Sequence, residues 1–588
     1  MEWNQHRIAL LSACLLTLPV TSLAKDSQQT ADQLAPEAAT GRTEQQAVTG
    51  KDWMVASANP YASEAGAEIL RQGGNAIDAM VATQLVLGLT EPQSSGIGGG
   101  AFMVYWDQKK KALTTFDGRE TAPFAVTPLL FQDETGQPLK FFDAVVGGRS
   151  VGTPGTVRLM WYTHQRHGKL DWKKLFEPAI KLAKEGFTVS PRLAALVEKD
   201  KAHLQRFAAT KAYFFNEDGT AIQAGQTLKN PEYADTLRQI AERGASAFYT
   251  GEIAKDIVKA VRTAPGNPGV LSTMDLATYQ VKERPAVCAP YRQYEICGMG
   301  PPSSGALTLG QIMGMLSHYP LGELGPDNLT SWRLIGDASR LAFADRGRYM
   351  ADSDYVPMPI KGLLADDYLQ QRAALLNSDQ ALAKAEAGNP PWDHAMRYAM
   401  DESLELPSTS HFSIVDKGRN VISMTTTIEN GFGSRVMVRG FLLNNELTDF
   451  SFRSHDNGNP IANRIEPGKR PRSSMAPTIV MQKGKPYLAI GSPGGSQIIG
   501  YVAKTLVAHL DWGMDLQQAI NLPNMNNRFG PFELEANTEA EQWAPKLETL
   551  GFKVQVKELN SGVQAIKLSD KTLTGAADPR REGKVIAE

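Results

Sequence analysis

Cysteine is scarce: three residues in 588. One of them, Cys14, lies in an apolar N-terminal stretch, which leaves Cys288 and Cys297 with no histidine cluster beside them. Two thiols so placed lack the ligand count of a zinc centre, so no metal is expected. Strong charge of either sign is also missing. The formal net charge is −2 and no long basic run occurs, which argues against nucleic acid as a main partner. After the N-terminus no apolar run is long enough to cross a bilayer.

Hydrophobic residues make up 42% of the chain and charged residues 21%, the balance of a soluble globular enzyme. A chain of this length can bury a large core and would ordinarily divide into several domains. The N-terminus reads as a targeting segment. Arg7 gives a positive start, Ile8–Val20 is largely apolar, and Ser22-Leu23-Ala24 is a small-x-small cleavage site. Residues 1–24 are therefore expected to be a signal peptide; an uncleaved anchor is the other reading, but the run is short for a span. Export to a bacterial periplasm or out of the cell follows. Residues 25–50 lack aromatics and read as a flexible mature N-terminus. Cys288 and Cys297 flank Tyr291-Arg292-Gln293-Tyr294. A two-residue turn at Arg292-Gln293 sets them opposite each other at a non-hydrogen-bonded pair, where side chains come closest. An oxidising compartment permits a disulfide there; two free buried thiols are the alternative.

From Trp53 the pattern turns globular. Met54–Ser57 reads as a strand, and Pro60–Arg71 and Asn75–Leu89 as helices, with Gly73-Gly74 closing the first and Asn75 capping the second. Glu91–Gly100, E-P-Q-S-S-G-I-G-G-G, is no phosphate loop, because no Lys-Ser/Thr follows and no helix opens after it. It reads as tight backbone packing before the hairpin Ala101–Trp106 and Ala112–Phe116. Val151–Asn377 is mostly helical, including Arg192–Phe207, Pro231–Arg243, Ile253–Arg262, Ala306–Leu316 and Trp332–Tyr349, and reads as packing scaffold. Ser378–Pro407 is polar and reads as an exposed tail.

That tail leads into Ser408–Glu429, S-T-S-H-F-S-I-V-D-K-G-R-N-V-I-S-M-T-T-T-I-E. Phe412–Val415 and Val421–Ile428 are rich in β-branched and apolar residues, and Asp416–Asn420 supplies turn chemistry. A hairpin folded about Gly418 sets Thr409 opposite Thr427, and strand period two puts Thr425, Thr427 and Glu429 on one face. Taken alone, a Thr-rich hairpin is usually only a hairpin.

Several segments together carry more. Thr409, Ser410, His411, Ser413, Thr425, Thr427, Glu429 and Phe432-Gly433 resemble the processing and nucleophile segment of the γ-glutamyltranspeptidases, a family of N-terminal-nucleophile hydrolases. Asp117-Gly118-Arg119-Glu120, Phe441–Phe450, Lys469–Pro477, Gly491–Ser496 and Leu573–Arg580 resemble further family segments in family order. The family's turn usually has Gly immediately before Asn420, where this chain has Arg419, and Glu429 stands where many members have Asn.

The resemblance implies an α+β fold, a four-layer αββα sandwich, and a precursor that cuts itself between Ser408 and Thr409. The products would be a large subunit ending at 408 and a small subunit, 409–588, held as a heterodimer. Thr409 would be the nucleophile, Thr427 would orient its hydroxyl, and Gly494 and Gly495 would form the oxyanion hole. Arg119, Ser473 and Ser474 would hold a substrate α-carboxylate, and Glu429, Glu446 and Asp449 its α-ammonium. An arginine fork suits a carboxylate, and carboxylates suit an ammonium. Glutathione and other γ-glutamyl amides would be substrates, with water, amino acids or dipeptides as acceptors and no cofactor. The resemblance leaves as rivals a glutaryl-type cephalosporin acylase of the same fold and an unprocessed periplasmic binding protein. Ser451–Gly468, which in several members is longer and forms a lid over the γ-glutamyl pocket, is short here, and a reduced or differently shaped lid is expected.

Overall fold

The computed structural model describes residues 42–401, 403 and 408–588; the signal peptide expected at 1–24 and most of 25–50 lie outside them. Two seven-stranded antiparallel sheets dominate. In spatial order the first runs Lys584–Ala587, Met54–Ser57, Thr409–Val415, Val421–Thr427, Gly100–Asp107, Ala112–Gly118, Lys282–Arg284. The second runs Val48–Gly50, Leu573–Ala577, Gln564–Leu568, Lys485–Gly491, Thr478–Gln482, Tyr294–Gly298, Val287–Tyr291. Val48–Gly50, read from sequence as part of a flexible terminus, is thus an edge strand paired with Leu573–Gly575.

Strand periodicity explains how these sheets become four layers. Alternate side chains leave a strand on opposite faces. Val55, Met103, Tyr105, Phe412, Ile414, Ile422 and Met424 enter a core shared with the helices Pro60–Arg71 and Ala76–Thr90. Their neighbours Met54, Ala56, Val104, Trp106, Val415 and Val421 point the other way and meet Ile479, Met481, Ala489 and Ile566 of the second sheet. Val480, Leu488, Ile490 and Ala565 face outward again, onto the helices Gly305–Leu316, Leu329–Tyr349 and Ile498–Leu510. Helix, sheet, sheet, helix is the αββα sandwich, with three cores between four layers.

The nucleophile hairpin keeps the register its sequence predicts: Thr409 pairs with Thr427 and Val415 with Val421. Arg419 does not shift the turn. It takes the left-handed conformation itself, φ 65°, in the place where glycine would pay less strain. Asp416 organises the turn, accepting from the Asn420 N–H at 2.9 Å, and also accepts from the Ala76 N–H at 2.8 Å. The hairpin is thereby tied to the start of the helix beneath it.

Three expectations need correction. Arg192–Phe207 is not one helix; Pro191–Lys199 and Lys201–Leu204 are separated at Asp200, whose carboxylate is drawn to Arg435 and His203. Val151–Asn377 is more than helical scaffold, because it contributes strands to both sheets. Among these is the Cys288–Cys297 hairpin, in which the cysteines are direct ladder partners joined by a disulfide. Finally, Ser378–Pro407 is not an exposed tail throughout. Trp392 packs against both Tyr349 and Tyr398 in a small apolar cluster. Asp401 is buried and accepts from Asn463 at 2.9 Å beside Arg472 at 3.1 Å.

Candidate functional site

Glu91–Gly100 runs against the end of the Val421–Thr427 strand with almost no clearance. A Cβ on Gly99 would lie 2.0 Å from the Thr427 carbonyl oxygen, and one on Gly98 2.1 Å from that of Leu442. Only glycine permits that approach, and it sets the height of Thr427 in the site.

Thr427 holds the peptide between Ser408 and Thr409. Its hydroxyl donates to the Ser408 carbonyl oxygen at 2.8 Å and accepts from the Glu429 N–H at 2.8 Å. The Thr409 hydroxyl lies 3.5 Å from that of Thr427. Ser408 is buried, its own hydroxyl donating to the Gln93 carbonyl at 2.6 Å, and Arg581 donates to the Thr409 carbonyl at 3.3 Å. A peptide gripped on both sides, with a hydroxyl on its oxygen, is polarised for attack.

His411, two residues on, is not positioned as a base for Thr409. It is fully buried between the sheets, 2.8 Å from the Thr425 hydroxyl and 3.3 Å from that of Ser413. Burial pushes its pKa down to about 3, so the ring is neutral at ordinary pH.

The Val421–Thr427 strand ends before Glu429, and a positive φ of 77° there turns the chain. Asn445 donates to the Glu429 carboxylate. Glu446 and Asp449 sit three residues apart on a 3₁₀ turn, Glu446–Asp449, where positions i and i+3 eclipse. Both carboxylates therefore reach one partner, Arg119, whose guanidinium binds Glu446 through one nitrogen and Asp449 through the other at 2.5 Å. Arg119 also donates to the carbonyls of Pro471 at 3.2 Å and Arg472 at 2.7 Å. The residues expected to grip opposite ends of a zwitterion are paired with each other. Burial among carboxylates pushes Glu429 and Glu446 well above the usual range.

Ser473 and Ser474 complete the wall. Ser473 accepts from the Met475 N–H at 3.1 Å, and Ser474 accepts from Arg346 at 2.6 Å. Gly494 and Gly495 take φ of 136° and 54° in the turn from strand to helix Ile498–Leu510. A helix start of this kind presents N–H groups to developing negative charge.

One cleft is lined by Arg119, Thr409, Thr427, Glu429, Glu446, Asp449, Ser473, Ser474 and Gly495, with Met475 and Ile498. Nearly every residue singled out in sequence converges there, and Ser408 and Gly494 are chain neighbours of the lining. Its volume is about 20 Å³, room for roughly one water. Sequence reading missed Asn445, Glu120 and Arg346. Arg346 is the plainest case: an arginine inside the helix Leu329–Tyr349 carries no local sign that it is buried against Ser304 and Ser474. Among the described residues no cluster of side chains has the make-up of a metal site, and no helix is long and apolar enough to cross a membrane.

The stacked sheets, helical flanks and a threonine at the head of a central strand define an enzyme of the N-terminal-nucleophile hydrolase class. The Gamma-glutamyltranspeptidase family pattern matches residues 62–588, and the chain belongs to that family. A glutathione hydrolase proenzyme of Bacillus subtilis (strain 168) is 37% identical over 598 residues, covering 99% of this chain and 98% of its own. A cephalosporin acylase from Bacillus halodurans superposes with a TM-score of 0.82 at 27% identity, covering 94% of this chain and 99% of that one. The γ-glutamyltranspeptidase of Helicobacter pylori gives 0.55 at 33% identity, covering 58% of this chain and 97% of that one.

Proposed function

We propose that the chain is a self-cleaving γ-glutamyltransferase and glutathione hydrolase with Thr409 as nucleophile. The observation that carries this is the Thr427 hydroxyl on the Ser408 carbonyl, directly beside the Thr409 hydroxyl. In the precursor, Thr409 Oγ1 attacks the Ser408 carbonyl carbon while Thr427 steadies the oxygen. The C–N bond breaks, the amine leaves protonated, and water hydrolyses the resulting Ser408–Thr409 ester. Thr409 then has a free α-amine, whose ordinary pKa lies near neutrality. That amine is the base a weak hydroxyl nucleophile needs.

The mature enzyme would repeat the chemistry on substrate. Thr409 attacks the γ-glutamyl carbonyl, N–H groups of Gly494 and Gly495 hold the oxyanion, and the amine product leaves with a proton from the Thr409 amine. Water then gives hydrolysis; an amino acid or dipeptide gives transfer. Arg119, Ser473 and Ser474 are assigned to the head group's α-carboxylate, and Glu429, Glu446 and Asp449 to its α-ammonium. This requires the ligand to enter between charges now paired to each other. The overlap with a cephalosporin acylase keeps a glutaryl substrate in view, but a glutaryl group has no ammonium for three carboxylates. Export of the precursor to the periplasm or medium belongs to the same reading.

The test is direct. Purified protein should run as two fragments, the smaller beginning at Thr409, and should release glutamate from glutathione or pass the γ-glutamyl group to an added dipeptide. Thr409→Ala should stay one chain and be inactive. A single chain with full activity would overturn the mechanism.

A further inference from the structure

Glu120 follows Arg119 at the end of the Ala112–Gly118 strand and has no solvent exposure. No residue beyond its own N–H and the Glu446 carboxyl is placed to hydrogen-bond its carboxylate oxygens. An ionised carboxylate so placed has lost its hydration for little beyond the attraction of Arg119, an unfavourable arrangement in a protein interior. It stands close to the chemistry: a Cβ on Gly100, the ladder partner of Thr427, would lie 2.3 Å from Glu120 Oε2. On its other side, a Cβ on Gly152 would touch both Glu120 Cβ, at 3.0 Å, and Leu447, at 3.2 Å, on the turn that carries Glu446. Glu446 has the same deficit, since its Oε1 takes Arg119 while Oε2 has no donor.

The groups facing Glu120 are Arg119 on its own strand end, Glu446 and Asp449 on the 3₁₀ turn, Glu429 beyond them, and the phenols of Tyr249 and Tyr279. Both phenols are pushed up by burial and stay neutral. Four carboxylates against one guanidinium would leave this buried cluster three charges negative if all ionised. A proton is the smallest counter-charge available. On Glu446 it also supplies the missing donor, an O–H pointed at Glu120.

We propose that Glu120 is a positioning residue of the head-group site, sharing one proton with Glu446, and that a ligand's ammonium displaces this proton as it binds. The inference rests on the proposed reading of the cleft as a site for a zwitterionic head group. Burial raises the Glu120 carboxyl to about 7, against the pull of Arg119, so the exchange falls in the working range of pH. Ammonium enters, one proton leaves to solvent, and Glu446 becomes a full acceptor. Affinity for a γ-glutamyl ligand then rises with pH through neutrality, by up to about tenfold per unit on the acid side. A ligand without the ammonium gains nothing.

Calorimetry on the mature enzyme tests this with two probes, L-glutamate and glutarate, each titrated about one pH unit below neutrality in two buffers of different ionisation enthalpy. The expected result is release of about one proton per L-glutamate bound and none with glutarate. Glu120→Gln keeps the size but cannot hold an acidic proton; its proton release should vanish and its KM for a γ-glutamyl anilide should become flat with pH. L-Glutamate binding with equal heats in the two buffers would overturn the proposal, as would undiminished release from Glu120→Gln. If the variant does not self-cleave, the wild-type comparison still decides. Loss of the functional reading looks different: processed enzyme that neither binds L-glutamate nor hydrolyses the anilide.

Discussion

Two residues in the cleft make separable claims. Thr427 donates to the Ser408 carbonyl, so Thr427→Val removes a hydroxyl without changing shape. Losing one donor to a developing oxyanion typically slows a reaction by about 10²–10³. Conversion of precursor to two chains, followed on denaturing gels, should slow by that order, and Thr427→Ser should restore most of it. Asp449 is assigned by the proposed reading to head-group binding instead. It pairs with Arg119 in a buried site, and removing one member of such a pair costs about 3–5 kcal/mol. Asp449→Ala should lose about two to three powers of ten in kcat/KM on a γ-glutamyl anilide while still cleaving itself. Its loss on a glutaryl anilide should be smaller; equal losses would assign Asp449 to the fold instead. His411 predicts a pH effect. The unfolded imidazole titrates near 6.5 and the folded one at about 3. The folded value is the lower, so the contribution of the neutral ring is whole above about 6.5 and is lost as pH falls toward 3, by about 1.4 kcal/mol per unit. His411→Gln should lose less stability than the parent between pH 7 and 4, measured by urea midpoints.

At the scale of the element, the hairpin was largely legible. Its β-branched runs, its Asp416–Asn420 turn and its register follow from period two and turn chemistry. The 3₁₀ turn at Glu446–Asp449 was not, because N-N-E-L-T-D has neither a helical repeat nor alternation. Its consequence, two carboxylates on one side, was reached only through likeness to a family. The glycine loop shows what close approach demands. With a Cβ on Gly99 placed 2.0 Å from the Thr427 oxygen, Gly99→Ala must push the strand end aside. Overpacking of this kind costs about 1–3 kcal/mol. We expect the variant to fold with a lowered melting temperature and to accumulate as precursor, although Gly99 offers no side chain to the chemistry. Normal processing of Gly99→Ala would mean that the height of Thr427 is set elsewhere. Ser451–Gly468 holds a small exposed hairpin, His455–Asp456 against Asn459–Pro460, turned by Asn457-Gly458 at positive φ, the Asn-Gly signal of a tight turn.

At the scale of the molecule, the expected cut at 408 does not divide two lobes. Thr409–Val415 lies between Met54–Ser57 and Val421–Thr427, and Val421–Thr427 in turn lies beside Gly100–Asp107. In the other sheet Tyr294–Gly298 pairs with Thr478–Gln482. The inter-sheet core likewise mixes residues from both sides of the cut. Each large side chain buried there contributes about 1.5–3 kcal/mol, so neither part would be a closed body without the other. After cleavage the two chains should co-elute in native size exclusion and separate only in denaturant. Chains that part under native conditions would contradict this account of a shared core.

The sequence by itself determined what depends on short-range order: the strand period that sorts side chains into layers, the caps of the first two helices, the opposed cysteines, and the Thr409–Thr427 register. Only the tertiary structure decided which charges meet. Arg119 and Glu446 are 327 positions apart, Arg346 and Ser474 are 128 apart, and Glu120 is packed against Gly100 and Gly152 from other segments. Sequence patterns record neighbours along the chain within a few residues, whereas a buried charge is governed by whatever the fold packs against it, and that geometry exists only once both sheets have closed.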